Sequence, residues 1–256
     1  MSELQRKAAA VKRRISRPLV RRRIPYVVTL TDFDKSGVRF EVGNLVEYFR
    51  VVGHGDETEY TTAMLGELRK DDVLFDIGAN IGMVALHAAS ICTTIAFEPD
   101  PAIRARLLHN AGLNPDRKFT VETCAVSDSD TTVTLYTDGD CGNSPSLVNQ
   151  RGETGTATVT ARSLDSLIAE NRLPAPTVIK LDIEGAEILA LKGAERLLAG
   201  PNRPRALFIE VHDTFLPGFG SSPEEVHDLL KRYGYTNETY KVKRRGQTHL
   251  ILRHSG

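Results

Sequence analysis

The 256-residue chain has no tryptophan, only three cysteines and three methionines, and no net charge. Each shortage narrows the field. No apolar run approaches the roughly 20 residues that a membrane-spanning helix needs. The basic start is not followed by the apolar region of a secretory signal, so a cytoplasmic protein with no membrane span is expected. Cys92, Cys124 and Cys141 are odd in number and lack paired metal-ligand spacing, which argues against a disulfide framework, a structural zinc or any other metal. Without tryptophan the chain lacks the strongest platform for stacking nucleic-acid bases. The 33 basic and 33 acidic residues cancel overall, but Met1 to Arg23 carries nine Lys or Arg against the single acid Glu3. A solvated or frayed helix accounts for this arm; contact with RNA or anionic lipid, or a transit-peptide-like role, is the alternative.

What is present is the makeup of a globular protein, 41% hydrophobic and 26% charged, large enough for one sizeable α/β core. After the basic arm (1–24), residues 25–56 read as a small β appendage, with strands at Tyr26 to Leu30 and Val38 to Val42, a turn at Asp34 to Gly37, and a third strand near Tyr48 to Val52. From Asp72 strands and helices alternate, the pattern of parallel βαβ units. Core strands are expected at Val73 to Ile77, Thr94 to Phe97, Phe119 to Ala125, Thr177 to Leu181 and Ala206 to Val211. Ile81, Val84, Ala85 and Ala88 share one helical face, as do Ile188, Leu191, Ala194 and Leu198. Ser222, Pro223 and Glu225 announce a further helix. An antiparallel hairpin, Tyr235 to Val242 and Gln247 to Leu252, closes the chain. Strands at Thr131 to Tyr136 and Thr156 to Ala161 flank a polar, Gly-rich insertion, Asp138 to Gly155, placed to lie over a site. The main domain is taken as 57–256.

Chemistry gathers at strand ends. Val73 to Ile77 runs directly into Gly78-Ala79-Asn80-Ile81-Gly82 and a helix; glycine permits close backbone approach, and a helix start offers unpaired N–H groups. A tight turn uses glycine for purely structural ends as well. Glu98 follows 20 residues after Gly78, at the end of the next strand and before Pro99, where an acid accepts bonds from ribose hydroxyls. Hydride-transferring Rossmann enzymes share this layout, but their Gly-x-Gly-x-x-Gly fingerprint is missing, because Asp76 stands at its first place. A carboxylate repels a pyrophosphate and suits a cofactor bearing an ammonium and a sulfonium. Lys180-Leu181-Asp182-Ile183-Glu184-Gly185-Ala186-Glu187 ends another apolar strand in acids. Asp182 is the functional candidate there, while Glu187 can serve merely to favour a helix N-terminus. Leu207 to Val211 ends in His212, the candidate base.

Together these pieces resemble the FkbM family of methyltransferases. The matching segments are Glu57-Thr58, Phe75 to Gly82, Phe97-Glu98-Pro99, Ala125-Val126-Ser127-Asp128, Ser163-Leu164-Asp165, Ile179 to Glu187 and Ile209 to His212. The resemblance covers about residues 57 to 212 and implies S-adenosyl-L-methionine as cofactor and O-methylation of sugars or secondary metabolites. It implies a Rossmann-like class I methyltransferase sheet, α/β and mostly parallel, with the antiparallel C-terminal hairpin and the N-terminal β appendage added. Carried over residue by residue, Asp76, Gly78, Ala79, Asn80 and Gly82 would surround the methionine part, with Glu57 upstream. Glu98 and Pro99 would hold the ribose, Ala125 and Val126 would edge the adenine, and Asp182 would face cofactor or substrate.

Methyl transfer is an in-line displacement, so positioning supplies most of the rate. A hydroxyl acceptor gains from a base, for which His212 and Asp182 are the candidates beside Glu184. A small-molecule or glycan acceptor is the expected partner. An RNA-directed enzyme using the basic arm is the alternative; against it, the strand ending in Asp182 carries no Asn/Asp-Pro-Pro-aromatic element. A non-catalytic cofactor-binding module is the other alternative. Nothing in the sequence speaks to the oligomeric state.

Overall fold

The computed structural model describes residues 24–53, 57–137, 144–244 and 246–255; the basic arm and Cys141 lie outside them. Strands β1 (Tyr26–Leu30) and β2 (Val38–Val42) form an antiparallel pair. Where a third strand is expected, the chain instead forms helix α1 (Leu45–Val51). The reason is local. Asn44 caps the helix by accepting from Glu47 N at 2.8 Å, and the Glu47 carboxylate reaches back past the cap to accept from Gly43 N. Arg106 then fixes Glu47 with two bonds of 2.7 and 3.0 Å.

Helix α2 (Thr58–Glu67) leads into the main sheet. Its parallel strands are β3 (Val73–Ile77), β4 (Thr93–Phe97), β5 (Thr120–Glu122), β9 (Val178–Leu181) and β10 (Ala206–Val211), and the antiparallel hairpin β11 (Asn237–Arg244) and β12 (Gln247–Arg253) completes it. The spatial order is β11-β12-β10-β9-β3-β4-β5. The strand expected over Phe119 to Ala125 is broken: after β5 the chain leaves the sheet, and β6 (Ala125–Val126) pairs with β8 (Gly155–Arg162) in a second sheet with β7 (Thr131–Thr137). The break opens the sheet's carboxyl edge beside Glu98, whose N–H donates the last bond to Glu122 O at 3.1 Å.

Helices α3 (Met83–Ala88) and α4 (Pro101–Leu113) follow β3 and β4, α5 (Leu164–Ala169) precedes β9, and α6 (Glu187–Lys192), α7 (Glu195–Ala199) and α8 (Pro223–Arg232) complete the cover. Alternate side chains of the strands serve opposite layers. Leu207, Ile209 and Val211 pack with α5 to α8, whereas Ala206 and Phe208 pack with Tyr60, Met64 and Ala88, as a sheet buried on both faces requires. The continuous helix suggested by Ile188 to Leu198 is two helices, parted at Gly193, where a Cβ would come within 2.0 Å of Ser127 O. Among the described residues no helix is long and apolar enough to cross a membrane.

The N-terminal hairpin is bound into this body. Phe40 and Val42 are fully buried with Ile81, Leu86 and Ile103, and the outer edge of β2 is met by two side-chain amides of the α4 segment. Asn114 accepts from Arg39 N at 2.8 Å and donates to Arg39 O at 2.7 Å; Asn110 accepts from Glu41 N at 3.1 Å and donates to Ile81 O at 3.0 Å. The two amides stand in for a neighbouring strand. Asn114→Ala removes this pairing and leaves backbone groups of β2 unmet, which should cost about 1–3 kcal/mol. Denaturant unfolding of the variant checks this, and stability equal to the parent would show that the amides are not what anchors the hairpin.

Candidate active site

A cleft of about 610 Å³ opens at the carboxyl edge of β3, β4 and β9, the place where open α/β sheets bind ligands. One wall is made by Gly78, Asn80, Glu98 and Pro99, the far end by Ala125 and Val126, and the opposite side by Asp182 and Glu184. The sequence thus brings eight of its candidates to one cavity. Cys124 also lines it, its thiol pushed up to about 11 by burial. Glu57 is exposed at the head of α2 and is not part of the wall.

The wall is held by backbone conformations that few residues adopt. Gly78 has φ +81°, and a Cβ there would lie 1.9 Å from Asp182 O, so the loop after β3 and the loop after β9 meet backbone to backbone only because position 78 has no side chain. Asn80 and Glu184 are non-glycine residues at φ 51° and 55°, strain that persists only where surroundings enforce it. For Asn80 the enforcement is visible: Gly78 N and Ala79 N both donate to Phe97 O, and Asn80 N donates to Glu98 Oε2 at 2.9 Å. Glu98 also accepts from Asp100 N at 2.9 Å. It is 3% exposed, and burial lifts its pKa to about 7 against the opposing pull of the two backbone N–H groups.

Asp76 departs from its expected place. It is fully buried behind the glycine turn, outside the cleft wall, and its partner is Lys180 at 3.2 Å. Ala79 and Gly82 likewise sit behind the wall; Gly82 caps α3 with φ +94°. Lys180 is the residue that sequence reading passed over. It donates to Gly78 O at 2.9 Å and lies 3.4 Å from Asp182. Burial works against its charge, but Asp76 and Asp182 outweigh that and raise its pKa. For Asp182 burial is outweighed by Lys180, then His212 and Arg50, and the carboxyl is held low; for Asp76 burial prevails and the pKa is raised. The clue was available: a lysine inside the apolar strand Val178 to Leu181 must have an acidic partner.

His212 lies beneath the acids rather than in the cleft. It is 3% exposed and stacks on Phe215 at 5.9 Å. Its Nδ1 bonds Glu187 Oε1 at 2.8 Å, and its Nε2 faces Glu184, Asp182 and Glu210 at 3.6, 3.7 and 3.7 Å. Burial disfavours its charge, yet the Glu187 bond and the surrounding carboxylates lift the pKa to about 10. The imidazole therefore holds a proton at neutral pH, which corrects the expectation of a free base. Glu187 does cap its loop, accepting from Gly185 N at 3.1 Å, and it fixes His212 as well. Glu210, two residues before His212 on β10, was also missed; the period-2 rule places both on one face.

The insertion after β7 folds over the cleft as expected, within the part described. Ser146 pairs with Tyr136 in a β-bridge and donates to Glu184 O at 3.3 Å. Arg151 joins Ser144 O, the Glu184 carboxylate and the Phe215 ring, whose centroid is 4.5 Å away. Arg50 of α1 reaches Ser144 Oγ at 3.3 Å and completes the wall.

A mostly parallel seven-stranded sheet with a glycine turn after β3 and an acid ending β4 defines a class I, Rossmann-like methyltransferase. Residues 76–236 match the methyltransferase FkbM domain, and the chain belongs to the FkbM methyltransferase family. It is 29% identical over 211 residues to the hexuronic acid methyltransferase AglP of Haloferax volcanii, covering 80% of this chain and 81% of that one. It is 32% identical over 202 residues to the 31-O-demethyl-FK506 methyltransferase FkbM of Streptomyces tacrolimicus, covering 66% and 75%. The solved magnesium protoporphyrin IX methyltransferase of Synechocystis with bound SAM is 13% identical, with a TM-score of 0.50 over 84% of this chain and 86% of that one, and shares the fold.

Lys180→Met strands two carboxylates beside an apolar side chain, and removing one partner of a buried pair costs about 3–5 kcal/mol. Chemical denaturation should show a loss of that size, reduced in Asp76→Asn/Lys180→Met. A single variant as stable as the parent would mean that Lys180 is not the counter-charge for this sheet edge.

Proposed function

We propose that this enzyme transfers a methyl group from S-adenosylmethionine to an oxygen of a sugar-type or secondary-metabolite acceptor. The observation that carries the reading is Glu98: a buried carboxylate at the cleft wall, fixed by two backbone N–H groups, with acceptor capacity left for ribose hydroxyls. Gly78 and Asn80 then bracket the methionine portion, and Ala125 and Val126 flank the adenine. Asp76 acts from behind, through Lys180, and Ala79 and Gly82 shape the turn. Asp182 and Glu184 face the acceptor side.

In the transfer, the acceptor oxygen forms the new O–C bond as the C–S bond breaks, its electron pair remaining on sulfur to give S-adenosylhomocysteine. A hydroxyl acceptor also surrenders its proton, to Asp182 or to water in the open cleft. Asp182, held ionised by Lys180, is a weak base, so alignment of oxygen, methyl carbon and sulfur carries most of the acceleration. Support for a sugar comes from the AglP relative, which methylates a hexuronic acid, and Arg50 gives the cleft a cation suited to an acceptor carboxylate. The 31-O-demethyl-FK506 relative supports oxygen as the methylated atom. The basic arm and an RNA acceptor gain no support from the cleft.

Cofactor binding by calorimetry tests the reading. Because the ionised form of Glu98 accepts the ribose bonds, affinity should be full above pH 7 and fall about tenfold per unit below it. In Glu98→Gln the affinity should be weak and flat over the same range. Formation of S-adenosylhomocysteine with uronic-acid glycans, exceeding that with neutral ones, would then identify the acceptor class. A folded protein that binds no S-adenosylmethionine at any pH removes the reading.

A further inference from the structure

Four carboxylates surround the buried imidazole of His212, and three of them have further partners of their own. Glu187 Oε1 accepts from the ring's Nδ1 at 2.8 Å and from Gly185 N at 3.1 Å. Glu184 carries Arg151 on its Oε2. Glu210 accepts from Gln247 Nε2, and His249 Nε2 lies 3.4 Å from the same oxygen. The fourth, Asp182, is the most open of the set, with 28% of its side chain exposed against 13% for Glu210, 12% for Glu184 and none for Glu187. It is also the one that lines the cleft at a strand end.

The two oxygens of Asp182 are divided between two buried cations. Lys180 Nζ, from the same strand, lies 3.4 Å from Oδ2, and His212 Nε2, from the end of the neighbouring strand β10, lies 3.7 Å from Oδ1. Both contacts are ion pairs rather than short hydrogen bonds, so the carboxylate keeps lone pairs for a further donor. Neither cation is loose. Lys180 is tied to Asp76 and to Gly78 O. The imidazole is tied through Nδ1 to Glu187, the first residue of α6, and its face lies against Phe215, with centroids 5.9 Å and planes 13° apart. With Nδ1 bound to Glu187, Nε2 is the nitrogen turned toward Asp182, Glu184 and Glu210.

We propose that His212 is a positioning residue for methyl transfer: anchored by Glu187, it fixes Asp182 Oδ1 while Lys180 fixes Oδ2, so that the carboxylate is held in one place to receive the hydrogen bond of the acceptor hydroxyl. The role rests on the methyltransferase reading above. A carboxylate held at one oxygen can still turn about its Cβ–Cγ bond; held at both, it sets the direction of the acceptor oxygen before substrate arrives, which is where an alignment-limited reaction gains its rate. Nothing is asked of His212 as a base, in keeping with its held proton and its 3% exposure. The other charged or titratable groups facing Asp182 are Asp76 from β3, Glu210 from β10, Arg50 from α1 and Tyr60 from α2, while Glu184 from its own loop shares His212 with it. Burial works against the Asp182 charge, and Lys180, then His212, then Arg50 outweigh it.

The test joins a titration to kinetics on the full-length protein. Nuclear magnetic resonance of the aspartate carboxyl and histidine ring signals, assigned with Asp182→Asn and His212→Gln, follows both groups over the pH range in which the protein stays folded. In His212→Gln, which keeps a donor for Glu187 but removes the charge, the Asp182 midpoint should rise, because one of its two cations is gone. Methyl transfer to a glucuronic-acid oligosaccharide at saturating cofactor should lose up to about 100-fold in kcat. The affinity for S-adenosylmethionine should be retained, since Gly78, Asn80 and Glu98 are untouched, and the remaining rate should fall at acid pH as Asp182 takes up a proton, a limb that the parent lacks. Glu187→Gln, which also serves where His212→Gln does not fold, removes the anion that anchors the ring; His212 should then lose its proton below the parent's midpoint of about 10, and the alkaline fall in kcat should move down with it. Midpoints and profiles unchanged in the folded variants overturn the assignment and leave Lys180 to hold the carboxylate, as does a loss of kcat without the new acid limb, the mark of a packing role. A parent that binds no S-adenosylmethionine removes the function proposed above, and the Asp182 midpoint in His212→Gln then still decides whether the two cations share that carboxylate.

Discussion

The ammonium group of Lys180, buried in the middle of a parallel sheet, is the constraint around which this site is organised. A charge placed there costs several kcal/mol unless paired and hydrogen-bonded, and its partners are few and fixed: Asp76 from the neighbouring strand, Asp182 at the end of its own, and the Gly78 carbonyl. Those contacts join the loop after β3 to the loop after β9. They set the separation of the two cleft walls, and the missing side chain at Gly78 lets the loops close on each other. Asp76 is therefore a structural anchor whose influence on the cleft runs through Lys180.

The strained backbone at Asn80 and Glu184 follows from the same closure. Each sits in left-handed conformation, and each is held from outside its own loop, Asn80 by Glu98 and Glu184 by Ser146 and Arg151. Strain of this kind costs about 1–3 kcal/mol per residue. In return the N–H of Asn80 is turned onto the Glu98 carboxylate before any ligand arrives. Preorganisation of this sort suits a reaction whose barrier is lowered chiefly by alignment.

Much of this was legible in the chain. The apolar strands with acids at their ends, the glycine turn and the helix announced by Ser222 and Pro223 all appear where periodicity and capping rules put them. Sequence was less informative about direction. An acid at a strand end can face the cleft, as Glu98 does, or the interior, as Asp76 does. What decides is the cross-strand register, in which Asp76 stands opposite Lys180, and register is a tertiary property. His212 was found but misread for a similar reason: the carboxylates that hold its proton come from a helix start, a loop and two strand ends far apart in sequence. The third N-terminal strand failed differently. The hydrophobic spacing of Leu45 to Val52 fits either period, but Asn44 caps the first turn and Glu47 reaches back to Gly43 N, which favours helix.

The two ends of the cleft have different origins in the chain. On the proposed reading, the cofactor end comprises Gly78, Asn80, Glu98 and Ala125, all within the span matched by the family, residues 76–236. The acceptor end draws on that span too, through Asp182, Glu184 and the Ser144 to Leu147 insertion, but Arg50 comes from α1, which precedes it. Helix α1 is held to the body by the Glu47–Arg106 pair and by Val51 in the N-terminal core, contacts independent of Lys180 and its acids. Arg50 also helps Lys180 and His212 to hold the Asp182 carboxyl low, so a substitution there changes both what this end of the cleft offers a ligand and the charge balance around Lys180. Asp182 belongs to both ends: it lines the cleft and pairs with Lys180, so the contacts that hold the sheet edge and those that face a ligand are coupled through one carboxylate.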